Sequence, residues 1–489
     1  MGIIIKQSIK GSIWSYLGVL IGFVTTAYLY TEYLTPEIVG LFGLLIAYST
    51  LFGQISLLGL PGVTSRLFPY FREKASGHNG FLLIGLLFLT VGFSLFLIAY
   101  LFFSPQLIEN NLEKSKLFAD YVFLLLPLTL VAMVFVFLDT YNKVLYNVVF
   151  GIFLREFLQR VLILLSVVLY IFNLINLHML IVAFVLSISI KSIMILIFLI
   201  GKGEFKLRIN WGFIDKKFRR EIFNVALFSS LGGLGSMIVF NIDKIIVNEM
   251  LDLSNTGVYT IAFYFGTLVI IPSRPLLKIA GTLIADAWKK NDLQQLKDIY
   301  YKSCINQFII GGFIFLGIWA NIDNILIILG EDYQGSKWVI FFIGLGYLFD
   351  IMTGANAQFI AFSKHYRVSL YFILLLVAIV IGLLYFLIPL FGITGAAIAV
   401  ATSLFLNNLM RFLFIYIKFK FQPFNYKFLI IALVYAGTYL LLTFIPQQDL
   451  IPDILIRGTI ITAFTITAVL TLPVSDEIKD LLSNFLKRR

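Results

Sequence analysis

The sequence predicts an all-α, polytopic membrane protein of about fourteen transmembrane helices, in two pseudo-symmetric six-helix halves with two more helices at the C-terminus. Three observations predict this. Hydrophobic residues make up 60% of the 489 positions and charged residues only 13%, with a mean hydropathy of +0.96. A soluble chain of this length would divide into domains with polar surfaces. Instead, apolar runs of about 20 residues recur throughout, each long enough to cross ~30 Å of hydrocarbon at ~1.5 Å per residue. Repeated runs of this length indicate helices rather than barrel strands, because a helix satisfies its own backbone polar groups.

The second observation is an internal repeat. Ser229–Phe263 lies on Ser12–Ile46 at a shift of 217 positions, pairing Ser12 with Ser229, Leu17 with Leu234, Gly18 with Gly235, Ile21 with Ile238, Phe23 with Phe240, Glu32 with Glu249, Leu34 with Leu251 and Gly40 with Gly257. Each copy orders an apolar run, an acidic connector, a glycine followed two residues later by an aromatic (Phe42 or Tyr259), and a second apolar run. Paired halves of this kind are common among transporters.

In chain order, the first seven expected spans are Gly11–Tyr30, Ile38–Leu60, Phe81–Phe103, Tyr121–Leu138, Val149–Phe172, Leu177–Ile200 and Ile222–Val247. The second seven are Gly257–Leu277, Ser303–Ile322, Trp338–Ala361, Leu370–Phe386, Ile393–Ile417, Phe428–Phe444 and Ile454–Leu472. The fourth, eleventh, thirteenth and fourteenth are short or interrupted, which leaves twelve or thirteen as alternative counts. The domain boundaries follow: an N-terminal half 1–201, a basic connection 202–220, a C-terminal half 221–420, and a two-helix appendage with a tail, 421–489. No small-residue cleavage site follows the first run, so it is read as a retained span.

Charge placement is the third observation. With both termini in the cytoplasm, inner segments hold 27 of the 37 Lys and Arg. Lys6 and Lys10 precede the first span, and Arg66, Arg72 and Lys74 follow the second. The connection carries Lys202, Lys206, Arg208, Lys216, Lys217, Arg219 and Arg220, and Lys487, Arg488 and Arg489 close the chain. Outer segments are acidic or neutral, as the positive-inside bias requires. The net charge of +11 therefore reflects topology and contact with anionic headgroups of membrane lipids, not nucleic-acid binding. Two inner stretches, Ile284–Tyr301 and Ser475–Arg489, read either as interfacial helices or as a solvated loop and tail.

Several chemistries are excluded. Cys304 is the single cysteine, and His78, His178 and His365 are scattered, so neither a disulfide framework nor a metal site is expected. There is no P-loop and no adjacent nucleophile and base, so no nucleotide and no cofactor is implied, and the chain is not read as an enzyme.

Ionisable residues inside spans mark where function is expected. They are Arg155, Glu156 and Arg160 on the fifth span, Lys191 on the sixth, Arg274 at the inner end of the eighth, Asp350 on the tenth and Arg411 on the twelfth. Glu156 and Arg160 stand four residues apart and could simply neutralise each other. Arg274 and Arg411 could instead extend to inner headgroups. Asp243-Lys244, near the outer end of the seventh span, reads as a structural anchor. Gly18 and Gly22, together with Gly232, Gly233 and Gly235, fit either close helix packing or mobility, and Pro272 and Pro275 interrupt the eighth span beside Arg274.

Asn241-Ile-Asp243-Lys244 with Gly257-Val-Tyr259, Thr35-Pro36-Glu37 with Gly40-Leu-Phe42, and Gly392-Ile-Thr-Gly395-Ala-Ala-Ile-Ala399 resemble the signatures of Wzx-type polysaccharide flippases. These belong to the multidrug/oligosaccharidyl-lipid/polysaccharide exporter superfamily. The resemblance covers nearly the whole chain and is weakest at the sixth span, which lacks the small-residue cluster of the twelfth. It implies a central cavity and alternating access, moving an undecaprenyl-diphosphate-linked oligosaccharide across a bacterial cytoplasmic (inner) membrane for O-antigen, capsule or exopolysaccharide synthesis. A polysaccharide polymerase and chain-length machinery would be its partners. Arg155, Arg160, Lys191, Arg274 and Arg411 would bind the substrate, Asp350 would couple an ion or the membrane potential, and Asp243, Lys244 and Gly257 would be structural. A lipid II flippase and a cation-coupled multidrug exporter are the alternatives; membrane-buried cations outnumber acids here, which argues against the exporter.

The topology is directly testable. Cysteines placed at Glu32, Asn111, Asp252 and Asp332 are expected to react with an impermeant thiol reagent from outside, and cysteines at Lys74 or Lys206 are not. Labelling of Lys206→Cys from outside would reverse the orientation.

Overall fold

The computed structural model describes residues 2–74, 76–207 and 215–487, and among these it contains helices and turns but no strand. Arg208, Arg488 and Arg489 of the basic segments lie outside the described residues, as do the side chains of Lys6, Leu481, Leu482, Phe485, Leu486 and Lys487. Among the described residues, twelve helices are long and apolar enough to cross a membrane. One of them, 52 residues long, is two spans. At ~1.5 Å per residue it is far longer than a bilayer, and Gly392 breaks it at φ 57°, ψ −139°. A further segment, residues 148–171, is helical but carries Arg155, Glu156 and Arg160. Together these account for the fourteen apolar segments.

The first helix, α1 (Gly2–Phe23), continues through a π turn at Val24–Leu29. Next, α2 (Pro36–Ser56) starts on Pro36, whose missing N–H costs nothing in a first turn. It ends four residues earlier than expected, because Leu58 and Gly59 are left-handed and α3 (Leu60–Phe71) starts a new helix. After α4 (Phe81–Asn111) and α5 (Leu125–Val144) comes α6. It comprises Val148–Ile152, a second π turn at Phe153–Leu158, and Gln159–Ile171. The side chain of Asn176 caps α7 (Leu177–Gly201) by accepting from the Met179 N–H, and Asp215 caps α8 (Lys216–Met250) through the Phe218 N–H.

Then follow α9 (Leu253–Thr267), α10 (Ser273–Lys290), α11 (Leu293–Ala320), α12 (Lys337–Met352) and α13 (Asn356–Phe362). The double helix is α14 (Val368–Phe419), followed by α15 (Tyr426–Thr443), α16 (Leu450–Thr471) and α17 (Asp476–Lys487). The stretch Ile284–Tyr301 is not one interfacial helix. Left-handed Asn291 ends α10, and the Asp292 carboxylate caps α11 at the Gln295 N–H.

Contacts divide the chain into two units, Met1–Gly257 and Val258–Arg489. In the first, Phe68, Phe71, Phe81, Phe137 and Tyr141 form the centre of the apolar core. In the second, Tyr300, Cys304, Phe359, Phe421 and Phe428 do so. The last two spans are tied to the second unit by a buried carboxylate. Asp453 accepts from Arg457 Nε at 2.6 Å and from Asn324 Nδ2 at 2.6 Å, while the Arg457 terminal nitrogens donate to the Leu442 and Ile445 carbonyls. The tail helix is held by Glu477. Burial raises its carboxyl pKa, but hydrogen bonds led by that from Lys302 (2.5 Å) outweigh this and hold it below the usual range.

The shift of 217 extends well beyond the first two helices of each half. Applied to α5 it covers α12 and α13, and applied to α7 it covers the part of α14 after Gly392. It also explains the conserved order of acid, glycine and aromatic within the two copies. A Cβ on Gly40 would collide with the Leu253 carbonyl, and one on Gly257 with the Pro36 carbonyl. Pro36 and Leu253 are themselves repeat-equivalent, so the two copies touch each other reciprocally, as two equivalent surfaces do about a two-fold axis. Backbone meets backbone because neither glycine has a side chain.

Two expectations follow. Gly40→Ala and Gly257→Ala should each destabilise the purified protein by about 1–3 kcal/mol, read as a lower melting temperature in detergent, whereas Gly317→Ala, which meets nothing within 4 Å, should not. Asn111 is buried, and its Oδ1 accepts a 2.7 Å hydrogen bond from Asn248 Nδ2. A cysteine there should be inert, so exposed Glu113 is the outer position to label.

Candidate functional site: intramembrane polar clusters

The polar cluster of the first unit is built around the π turn of α6. A π turn inserts one residue and rotates the following side chains, and such turns concentrate at functional positions. Here it presents Arg155 and Glu156. Arg155 Nε donates to Glu156 Oε1 at 3.0 Å, and its terminal nitrogens have no partner among the described residues; the side chain is 49% exposed. Arg160, one turn on, donates through one terminal nitrogen to the Gly18 carbonyl at 2.7 Å and through the other to Glu156 Oε2 at 3.3 Å.

The glycines of α1 make that arrangement possible. A Cβ on Gly18 would overlap the Glu156 carbonyl, and one on Gly22 would lie 2.7 Å from an Arg160 terminal nitrogen. The spacing of Gly18 and Gly22 therefore serves packing, and Arg160 is one of the groups packed. On α7, Lys191 donates to Gln159 Oε1 at 2.8 Å and sits 4.8 Å from the Phe135 ring centroid, a favourable cation–π contact in a desolvated place. Asp139, on α5, lies within electrostatic reach of Lys191. One Asp139 oxygen pairs with Lys143, and the other is buried without a hydrogen bond, in space left by Gly151.

The second unit holds a different kind of cluster. Asp350 Oδ1 accepts from Asn408 Nδ2 at 2.7 Å. Asn408 Oδ1 in turn accepts from Thr353 Oγ1 and Asn356 Nδ2, both at 2.9 Å. Thr353 and left-handed Gly354 separate α12 from α13, so this network closes a break in the tenth span. Arg411 lies one turn beyond Asn407 and Asn408 on α14, close enough for its charge to act on Asp350, and Asn407 Oδ1 is buried without a partner.

Arg274 differs from every other intramembrane cation. It is exposed, its side chain makes no ion pair or hydrogen bond among the described residues, and it follows Pro272 and Ser273 where the eighth span gives way to α10. Asp243, by contrast, is fully buried, with Oδ1 accepting from the Lys244 N–H at 2.9 Å. Among the described residues no group of His, Cys, Asp and Glu could hold a metal ion.

The sequence reading named the charges but not their neutral partners, Gln159, Thr353, Asn356 and Asn408. A signal for two of these was available. At the 217 shift Asp139 corresponds to Asn356 and Lys191 to Asn408, so one polar pair recurs at equivalent positions.

Residues 8–284, more than half of the chain, match the model of the family described as "Polysaccharide biosynthesis protein". The chain belongs to that family. A curated relative, the uncharacterized membrane protein MJ1068 of Methanocaldococcus jannaschii, is 23% identical over 518 aligned positions that cover 99% of both chains. Among solved structures, lipid II flippase MurJ in an inward closed conformation matches 94% of this chain and 98% of its own, with a TM-score of 0.75 and 14% identity. An inward-facing multidrug resistance MATE family transporter of the MOP superfamily matches 82% of this chain and 93% of its own, at a TM-score of 0.62 and 16% identity. The fold is that of these transporters, and the protein is a multi-pass membrane protein. That relative is archaeal, whereas the sequence alone reads as that of a bacterial membrane protein.

Arg160 tests the packing role. Arg160→Leu leaves the Gly18 carbonyl and one Glu156 oxygen without their donor, and should cost about 1–3 kcal/mol, seen as reduced membrane abundance and a lower melting temperature. Arg155→Leu, which removes one exposed contact, should change neither.

Proposed function

We propose that this protein moves a polyprenyl-diphosphate-linked oligosaccharide, undecaprenyl in a bacterium, from the inner to the outer leaflet by alternating access, supplying cell-surface polysaccharide synthesis. The observation that carries the reading, beyond family membership, is Arg274: an exposed, uncompensated guanidinium between two prolines at a helix break. The sugar and diphosphate cannot cross hydrocarbon unaided, whereas the prenyl tail can stay in lipid. A diphosphate leaving water loses hydration that fixed cations replace, and a guanidinium offers a planar fork of donors suited to it.

In this reading Arg274 is the diphosphate-contacting group of the second unit, and the free end of Arg155, with Lys191 behind it, is that of the first. Arg160 contributes through its hold on the α1–α6 contact, and Arg411 through Asp350. Asp350, held by amides and faced by one arginine, is the coupling group, because a carboxylate in that setting can exchange a neutralising cation or proton. Lipid II is the second reading, favoured by the fold shared with the lipid II flippase; its cargo would engage the same cations. Neighbouring genes separate the two: glycosyltransferases favour oligosaccharide export, cell-wall division genes favour lipid II.

The test is complementation of a deletion strain, with lipid-linked glycans assayed on each leaflet and membrane abundance measured alongside. Arg155→Lys and Arg274→Lys should each lower export about tenfold, the loss of one charge-assisted hydrogen bond, and Ala should lower it further at normal abundance. Lys191 should tolerate Arg but not Ala or Gln. Asp350→Asn should abolish gradient-driven export while leaving cargo binding largely intact. Wild-type export by both Arg155→Ala and Arg274→Ala would place diphosphate capture elsewhere.

A further inference from the structure

Between α1, α6 and α7 lies a cleft of about 390 Å³ that none of the proposed transport residues lines. Its walls are Trp14, Val149, Phe150, Phe153 and Phe198, with Asn147 at one end. The aromatic walls are held rigidly by each other: the Trp14 and Phe153 rings meet edge to face at 4.8 Å, and Phe150 stacks on Phe198 at 4.3 Å. The volume falls within the range of small-molecule sites, roughly 300–1,000 Å³, and the lining has their usual character of apolar walls with a few polar groups.

The end of the cleft that holds Asn147 is also cationic. Lys10 precedes Trp14 by one turn on α1, and Lys202 follows Phe198 by one turn at the end of α7. Residues four apart share a helix face, so each lysine stands next to an aromatic wall, on the side that the Lys and Arg distribution assigns to the cytoplasm. Lys202 Nζ is 5.6 Å from the Phe198 ring centroid, and both lysines are exposed and form no ion pair among the described residues. An apolar slot in the membrane with paired, uncompensated lysines at its inner rim matches one amphiphile: an acyl chain attached to an anionic headgroup. Basic pockets between helices on this side are the usual places for such lipids.

We infer that the α1–α6–α7 cleft binds an anionic phospholipid of the inner leaflet, with one acyl chain between Trp14, Phe150, Phe153 and Phe198 and the phosphate at the Lys10 and Lys202 rim. The two rim lysines are ammonium groups. That suits a single phosphate as a point charge. The bound lipid fills space beside the π turn of α6 and so supports the turn that presents Arg155. The inference stands whatever the cargo.

The experiment is native mass spectrometry of the full chain purified from nanodiscs of equal phosphatidylglycerol and phosphatidylcholine. The wild type should retain one phosphatidylglycerol in preference to phosphatidylcholine. The double variant Lys10→Gln/Lys202→Gln should lose that retention at least fivefold, as should Trp14→Ala, while Lys364→Gln, exposed in the second unit, should not. Melting temperatures in phosphatidylcholine alone should be equal for wild type and the lysine variants, and only the wild type should gain stability when phosphatidylglycerol is added. Equal retention of the two lipids, wild-type retention by the double lysine variant, or displacement of the bound lipid by farnesyl diphosphate but not by added phosphatidylglycerol would each overturn the assignment.

Discussion

The absence of a Cβ at a few positions is the constraint on which this structure depends. In hydrocarbon, burying an apolar side chain against another helix gains little over leaving it in lipid, so helix association relies on close contact and on polar pairs. Gly18 against the Glu156 carbonyl, Gly40 against Leu253, Gly59 against Ala226 and Gly92 against Ser56 bring backbones to distances that any side chain would forbid. The polar clusters depend on the same device. Gly22 leaves room for the Arg160 guanidinium, and Gly151 for the Asp139 carboxylate. The glycine pattern sets helix spacing, and helix spacing decides which charges find partners.

That sorting of charges separates architecture from chemistry. A cation in a span is tolerable only if something replaces its hydration. For Arg160 the replacement is internal: a backbone carbonyl and a carboxylate occupy its terminal nitrogens. Arg457 is satisfied in the same way by Asp453 and two carbonyls. A group spent like this holds helices together and has little left for a ligand. Among the described residues, Arg155 keeps both terminal nitrogens unpaired and Arg274 keeps its whole guanidinium so. For such free donors the remaining partners come from outside the chain: water, headgroups or cargo.

The fold was legible in the sequence because hydropathy and the positive-inside bias act on whole segments, and the membrane enforces both. The repeat was legible for the same reason that Gly40 and Gly257 cannot change: each meets the other copy's backbone. What escaped was local. The π turns in α1 and α6 leave no mark on composition, since one inserted residue does not alter an apolar run. The break at Leu58 and Gly59 fell inside a run that reads as continuous. Asn291 looked like any polar residue in an amphipathic stretch, but its left-handed backbone turns Ile284–Tyr301 into the end of one helix and the start of another. The pairing of Arg160 with Glu156 could be read from four-residue spacing, yet its stronger contact, to the Gly18 carbonyl, joins helices 142 residues apart and no local pattern encodes it.

The repeat also shows where the halves have parted. Asp139 and Lys191 stand at the positions that Asn356 and Asn408 occupy 217 residues later. In the second unit the two amides bond directly, Asn356 Nδ2 to Asn408 Oδ1 at 2.9 Å, and Asn408 passes its own donor to Asp350. In the first unit the pair is charged. Its members turn to Lys143 and Gln159, and one Asp139 oxygen is left without a hydrogen bond. Neutral amides are far cheaper to bury than ions, so the second unit carries its equivalent pair at low cost and bonds an acid, Asp350, to it. The first unit instead keeps ions at that depth and adds Arg155 beside them. One repeat-equivalent pair of polar positions thus supports a cationic cluster in one unit and an amide-held carboxylate in the other. Under the proposed function, that division assigns capture of an anionic headgroup and coupling to different groups.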